Sequence, residues 1–364
     1  MDTDVWKAGP GQIDERQFDM PILDRLAATV RRFPDADADA DADAVIDPDG
    51  RIDYKTLWRH AMARAWHIQA ASGDGAPVGI LPPLGIDFIV SMQACMAAGR
   101  IPITLDAATP AARLADIVRA AGVRLVIGAI ATPLAALGTE WLDLRAADDA
   151  DDSPGGGPDQ PRAIPALPVD APAFTFATSG NSGMPKLVVQ SQRSVLFQYL
   201  GNVWLFGLTP ADRYVFTVAS NSGPAWLHAL SPLYAGGASL MCDVRAAGLT
   251  SLITLMARER ASILRVSPSL MRVLLSLDSA RAALTSLRVA RLIGEAFLGL
   301  RYHCIAAGPC PIGTDCQRWC ARYQCLTCVP DQGRPRRTGA EQPLFCKFPR
   351  GVSFGSIAQA SMVR

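Results

Sequence analysis

The chain has 364 residues, a length that fits two or three domains of roughly 100–200 residues each. Hydrophobic residues make up 49% and charged residues 19% of the chain, which permits a large core and excludes wholesale disorder. The net charge of +1 argues against a general nucleic-acid-coating protein. No apolar run reaches the roughly 18 residues of a membrane span, because Asp87 and Arg100 interrupt the best candidate. The polar start, MDTDVWKAGPGQIDERQ, does not resemble a signal peptide, and we expect a cytoplasmic protein.

The first predicted helix follows an N-terminal extension of residues 1–20. Residues 21–34 place Ile22, Leu23, Leu26 and Val30 at helical spacing, and Pro34 ends the run. Strict Asp-Ala alternation then runs from Asp35 to Asp43, with no apolar face and five like charges. We interpret this segment as a solvated loop.

Strands and helices alternate through the next part of the chain. Two short strands flank a predicted turn at Asp49 and Gly50. Glycines follow two of the later helices directly, as expected for helix C-caps. This alternation predicts a doubly wound α/β layer. The predicted helices are 57–68, 88–98 and 110–121, and the predicted strands are 78–81, 101–105 and 123–130.

A loop rich in glycine and hydroxyl groups follows a Pro- and Asp-rich linker at residues 147–172. It runs from Thr178 to Lys186, between predicted strands 174–177 and 187–190. Glycines let backbone N–H groups turn inward as an anion nest, and hydroxyl, amide and ammonium donors suit phosphate. It is not a Walker A loop, because Leu187 follows the lysine. An ordinary Ser/Gly connection between strands remains the alternative. The candidate phosphate-binding residues are Thr178, Ser179, Gly180, Asn181, Ser182, Gly183 and Lys186.

The segment TSGNSGMPK resembles the phosphate-binding signature of the adenylate-forming (AMP-binding) enzymes, which include acyl-CoA synthetases and nonribosomal peptide synthetase adenylation domains. The resemblance extends from about residue 20 to residue 297 in ordered blocks. Asn181, Leu187 and Gln192 depart from the usual family residues. The supporting blocks are AGRIPITLD with PAARL, SPLYAGGASLM, SPSLMRVLL and the GEA at 294–296.

The resemblance implies an α/β fold built from the layered αβα N-terminal subdomains, and activation of a carboxylic acid by ATP and Mg²⁺ as an acyl-adenylate. CoA or a carrier-protein thiol would then accept the acyl group. The stretch VASNSGPAW has no carboxylate where amino-acid-activating members carry an aspartate. A fatty, aryl or hydroxy acid is therefore favoured over a free α-amino acid. The acyl-pocket candidates are Asn221, Trp226, Gly294 and Glu295; for Trp226, ordinary helical spacing favours a core helix residue over a pocket residue.

Several family motifs are missing from residues 298–364, among them Y-G-x-T-E and the C-terminal lysine context. We therefore expect an incomplete fold and no measurable adenylation by this chain alone. The alternatives are a non-catalytic module that docks to a carrier protein or a full-length paralogue, and a protein with a zinc-binding tail.

Composition changes abruptly after Phe297. Residues 298–364 hold nine basic and three acidic side chains, and seven of the nine cysteines. The spacing Cys316-x3-Cys320-x4-Cys325-x2-Cys328 suits zinc, whereas disulfides do not suit a cytosolic chain. The third interpretation is a shift of reading frame near Phe297, because the segment lacks helical or strand periodicity. We predict a partial AMP-binding domain at 21–297 and an irregular, out-of-frame tail at 298–364, and we assign no metal ligands.

Overall fold

The computed structural model describes residues 19–32, 43–128, 138–143, 165–178, 185–217, 227–292 and 325–326. In chain order the elements are α1 (Ile22–Arg32), β1 (Asp43–Ile46), β2 (Arg51–Asp53), α2 (Tyr54–Ala71), β3 (Pro77–Ile80), α3 (Ile86–Ala97), β4 (Ile101–Thr104), α4 (Ala111–Ala121), β5 (Leu125–Ile127), β6 (Glu140–Leu142), β7 (Pro172–Thr178), β8 (Lys186–Ser191), α5 (Gln192–Phe206), β9 (Arg213–Phe216), α6 (Leu227–Ala235), β10 (Ala238–Met241), α7 (Val244–Arg258), β11 (Ile263–Val266), α8 (Pro268–Ser276), α9 (Asp278–Thr285), β12 (Val289–Leu292) and β13 (Cys325–Leu326).

The described strands form two sheets. The six-stranded sheet has the order β6-β5-β3-β4-β7-β8 and is parallel except for β8, which runs antiparallel to β7. The seven-stranded sheet has the order β13-β12-β11-β9-β10-β1-β2, with antiparallel partners only at its two ends. The predicted α/β fold is thus confirmed, as two parallel-rich sheets.

Within the described residues, three hydrophobic cores hold the sheets and helices together in layers. The central core lies between the sheets and takes its residues from both of them and from α1, α2, α3, α5 and α6. The other face of the seven-stranded sheet packs against α7, α8 and α9. The other face of the six-stranded sheet packs against α4. Alternate residues of β9 point into different cores. Tyr214 and Phe216 face the central core, and Val215 faces the α7 side.

Local sequence signals account for most element ends. Gly99 and Gly122 end α3 and α4 with φ of +70° and +66°, in the left-handed region that glycine favours. The predicted strand pair around Asp49 and Gly50 is also present, since the Asp47 carboxylate accepts hydrogen bonds from both backbone N–H groups at 2.9 Å. The helix predicted at 57–68 is longer at both ends, and it starts earlier because the Asp53 side chain caps it by accepting from Thr56 N.

Three of the predicted segments lie mostly outside the described residues. They are the Asp-Ala repeat, the linker and the tail. Within the tail, Cys325 and Leu326 pair with Arg291 and Ala290 of β12. The proposed domain boundary at residue 297 stays a prediction. None of the helices in the described ranges has the length and apolar character needed to cross a membrane.

Candidate functional site at the carboxyl ends of the strands

The predicted phosphate-binding segment is the turn of the β7–β8 hairpin. Thr178 and Lys186 are register partners across the two antiparallel strands, and the Thr178 hydroxyl donates a hydrogen bond to the Lys186 carbonyl at 3.3 Å. The Lys186 side chain is exposed. These two residues therefore bring both ends of the loop together. The other candidates, Ser179, Gly180, Asn181, Ser182 and Gly183, lie outside the described residues.

Packing below the hairpin fixes where the loop begins. β7 lies beside β4 in parallel, with Ile103 opposite Thr175, and the Phe174 and Phe176 rings stack in the central core at 5.8 Å. Parallel neighbours end at the same sheet edge, so the loop leaves the fold beside the carboxyl end of β4. Ligands of open α/β sheets bind at this edge.

Charged side chains from two helices reach this edge. Arg113 of α4 donates to the Thr178 carbonyl at 3.5 Å. Asp106, just after β4, accepts a hydrogen bond from Arg245 of α7 at 2.9 Å. This bond raises the pKa of the Arg245 guanidinium. Because Arg245 follows β10 of the other sheet, the Asp106–Arg245 ion pair ties the carboxyl edges of the two sheets together.

The predicted acyl-pocket residues Asn221, Trp226, Gly294 and Glu295 lie outside the described residues. The strands and the helix next to these residues in the chain are described. Residues 218–226 connect the carboxyl end of β9 to α6, and Gly294 and Glu295 follow the carboxyl end of β12. β11 separates β9 from β12 in the sheet, and the Thr217 hydroxyl donates to the Arg265 carbonyl at 3.2 Å.

Two arginines near these strand ends were not among the site residues predicted from the sequence. Arg265 and Arg291 are register partners on β11 and β12, and Arg265 is 5% exposed. Burial above all lowers the pKa of the Arg265 guanidinium; Tyr214 opposes this and the Arg291 charge adds to it, and together they bring the pKa to about 10. The available signal was a charged residue inside the otherwise apolar strand sequence ILRV.

Comparison with known proteins identifies the family. A model of the AMP-binding enzyme family matches residues 30–322. The chain belongs to the AMP-binding enzymes. The resemblance found in the sequence is thereby confirmed, and the matched region extends past residue 297.

Two curated relatives each match about three quarters of the chain. Phosphinothricin tripeptide synthetase PhsC of Streptomyces viridochromogenes is 30% identical over 276 residues, which is 74% of this chain and 24% of PhsC. Phenyloxazoline synthase MbtB of a Mycobacterium species is 26% identical over 285 residues, which is 77% of this chain and 23% of MbtB. The chain thus spans about a quarter of the length of these relatives.

Solved structures agree on the fold. The nonribosomal peptide synthetase FmoA3 in its AMPPNP-bound form superposes with a TM-score of 0.65 at 25% identity, over 80% of this chain and 30% of FmoA3. The N-terminal subdomain of Klebsiella oxytoca NpsA, in complex with 3-hydroxyanthranilyl-AMSN, has a TM-score of 0.62 at 22% identity, over 76% of this chain and 66% of NpsA. The described fold is therefore that of the N-terminal portion of an adenylate-forming enzyme.

Proposed function

We propose that this chain binds the phosphates of ATP at the Thr178–Lys186 hairpin and holds a carboxylic acid that an intact enzyme of the family converts to an acyl-adenylate, although this chain alone does not complete that reaction. The observation that carries the proposal is the register pairing of Thr178 with Lys186, which presents the loop TSGNSGMPK at the carboxyl edge of the sheet. The AMPPNP-bound FmoA3 structure supports ATP as the nucleotide.

In the proposed reaction, the acid carboxylate attacks the α-phosphate of ATP, the bond between the α- and β-phosphates breaks, and pyrophosphate leaves. Negative charge builds up on the departing pyrophosphate, so a fixed cation beside it lowers the barrier. We assign that role to the Lys186 ammonium, with loop N–H groups and hydroxyls as further donors. The Thr178 hydroxyl already bonds the Lys186 carbonyl, which braces the base of the loop.

Magnesium and the acyl acceptor are also proposals. The described residues include no group of three His, Cys, Asp or Glu side chains placed to hold a metal, so we assign no step to Mg²⁺. The zinc hypothesis concerns tail cysteines whose side chains lie outside the described part of the chain. We propose a thiol, of CoA or of a carrier protein, as acceptor; the similarity to peptide synthetases supports the carrier.

The test uses the scarcity of lysine in this chain, which has only Lys7, Lys55, Lys186 and Lys347. Titration calorimetry with ATP and with pyrophosphate compares Lys186→Ala with Lys55→Ala, a change at an exposed position on α2. We expect Lys186→Ala to weaken both ligands by about tenfold or more, and Lys55→Ala to change them less than about twofold. Equal affinities in the two variants would contradict the proposal.

A pyrophosphate-exchange assay across a panel of carboxylic acids tests turnover separately. We predict no measurable exchange by the 364-residue chain, because its sequence lacks the Y-G-x-T-E segment of the family. Clear exchange with any acid would show that the prediction of inactivity is wrong and would leave the phosphate assignment intact.

A further inference from the structure

Two guanidiniums face the central core from neighbouring strands. Arg265 is the third residue of β11 and Arg291 is the third residue of β12, and they lie directly opposite each other. Alternation places them on the same sheet face as Ile263 and Val289, which both belong to the central core. Two like charges, one buried and one half-buried, therefore share one face of the sheet.

The position of Arg291 is fixed by its surroundings. Its Nη1 donates to Asn202 Oδ1 at 3.0 Å, and Asn202 Nδ2 donates to Ser231 Oγ at 3.0 Å. Its guanidinium also lies 5.4 Å from the centre of the Phe206 ring. Asn202 and Ser231 are both buried. A guanidinium held this way loses little further entropy when it binds a ligand.

Aromatic rings line the same face beside Arg265. Phe216 is the register partner of Arg265 on β9, and the rings of Tyr214 and Phe216 are 4.6 Å apart. The Phe206 ring meets Tyr214 edge-on at 6.3 Å. An apolar wall with two charged groups on it is typical of a small-molecule pocket.

The arginine pair lies where the acid is expected. All four predicted acyl-pocket residues follow from the carboxyl ends of β9 and β12, the strands on either side of β11. Each guanidinium has other interactions within the protein, and we rely only on the position and the like charge of the pair.

We infer that Arg265 and Arg291 recognise a second anionic group on the substrate, so that the acid is a dicarboxylic acid or carries another anionic substituent. The inference rests on the proposed function, in which a carboxylic acid is the substrate. A guanidinium binds a carboxylate through two parallel hydrogen bonds, which are strong where water is excluded. A neutral acyl group would desolvate the two cations further without forming an ion pair or hydrogen bond that compensates for the cost.

The experiment measures binding of acids to the complete chain by titration calorimetry. Diacids are compared with monoacids of equal carbon number: succinate with butyrate, glutarate with valerate, and adipate with hexanoate. Phthalate and benzoate are added as an aromatic pair. We expect at least one diacid to bind about tenfold or more tightly than its partner. Equal affinity within every pair, or no binding of any acid, would overturn the inference.

Variants assign the preference to the arginines. Arg265→Met and Arg291→Met should each reduce the diacid preference by about tenfold and leave monoacid binding within about twofold. Arg281→Met, at an exposed position on α9, should keep the preference. If either core variant weakens mono- and diacids equally, the pair binds the reacting carboxylate and the inference is wrong. If both variants keep the preference, it is also wrong.

Nucleotide binding separates this inference from the proposed function. Arg265→Met and Arg291→Met should bind pyrophosphate within about twofold of the wild-type chain, which also reports that they are folded. If Arg265→Met does not fold, Arg291→Met, at a half-buried position, decides the outcome. A diacid preference without ATP binding would overturn the phosphate proposal alone. ATP binding without any diacid preference would overturn only the inference drawn from the arginines.

Discussion

Arginines at the amino ends of β9 and β12 have different partners from the two arginines near the carboxyl ends of β11 and β12. At the amino ends, Arg288 donates to the Asp212 carboxylate at 2.7 and 2.6 Å, and Arg213 pairs with Glu259 at 3.1 Å. Near the carboxyl ends, Arg265 lies opposite a second arginine. The amino ends thus pair arginine with buried carboxylates, whereas β11 and β12 carry two adjacent arginines near their carboxyl ends, which we propose contact a ligand.

The hydrogen bonds at the amino ends of the strands also determine the pKa of Asp212. Burial would raise the pKa of Asp212, but hydrogen bonds from Arg288, Ser262 and Thr209 outweigh it and leave the pKa below its ordinary value. The carboxylate is 3% exposed. A buried carboxylate with this many donors contributes to stability as long as it stays ionised.

Breaking this network should give the largest effect. Asp212→Asn removes the buried anion that pairs with the partly exposed Arg288, and we expect a loss of about 3 kcal/mol in unfolding free energy. Urea unfolding at pH 7 measures it. The control is Asp278→Asn, which removes an exposed partner of Arg281 and should cost less than about 0.5 kcal/mol. Equal losses in the two variants would show that the amino-end pairing does not stabilise the fold.

The stability difference between the wild type and Asp212→Asn should depend on pH. Because the folded pKa of Asp212 lies below the unfolded value of about 3.9, its contribution is complete well above that value and is lost as the pH falls through the folded pKa. The stability difference between wild type and Asp212→Asn should be constant from pH 7 to about 5 and should shrink below about pH 4. Urea unfolding across this range checks the trend, and a difference that grows in acid would contradict it.

A steric change at the amino ends should have the next largest effect. A Cβ on Gly237 would lie 2.7 Å from the Asp212 carbonyl oxygen and 2.9 Å from that of Thr209. Both obstacles are backbone, so we expect Gly237→Ala to cost about 2–3 kcal/mol in urea unfolding. Gly201→Ala inside α5 meets nothing within 4 Å and should stabilise the protein by about 0.5–1 kcal/mol. An unchanged unfolding free energy in Gly237→Ala would contradict the close contact between position 237 and the carbonyl oxygens of Asp212 and Thr209.

The smallest effect is expected at the carboxyl ends. Arg265→Met removes one of two like charges from an apolar face, which offsets the contacts it loses, and unfolding free energy should change by less than about 1 kcal/mol. Urea unfolding beside Asp212→Asn gives the comparison directly. A loss as large as that of Asp212→Asn would mean that both ends of the sheet use arginine for stability.

Local signals were enough to predict most of the elements up to β8. Gly99 and Gly122 marked the ends of two helices, and short apolar runs predicted the two strands at 174–177 and 187–190 that pair around Thr178 and Lys186. The start of α2 was missed because apolar spacing begins at Leu57, whereas the helix starts after its cap, Asp53.

Contacts between distant segments could not be predicted. The Asp106–Arg245 ion pair joins residues 139 apart, and the Asp212–Arg288 pair joins residues 76 apart. The alignment of Arg265 with Arg291 depends on the register of two parallel strands that are joined through helices. That register follows from packing of the whole sheet, which no local pattern encodes.

The central claim is that the TSGNSGMPK loop binds phosphate, and amide hydrogen exchange tests it most directly. Mass spectrometry of peptides covering residues 178–186 is compared with and without saturating pyrophosphate, in the wild-type chain and in Lys186→Ala. We predict slower exchange in this segment of the wild-type chain and a much smaller change in the variant. Unchanged exchange here, with pyrophosphate bound and protection appearing elsewhere, would contradict the assignment.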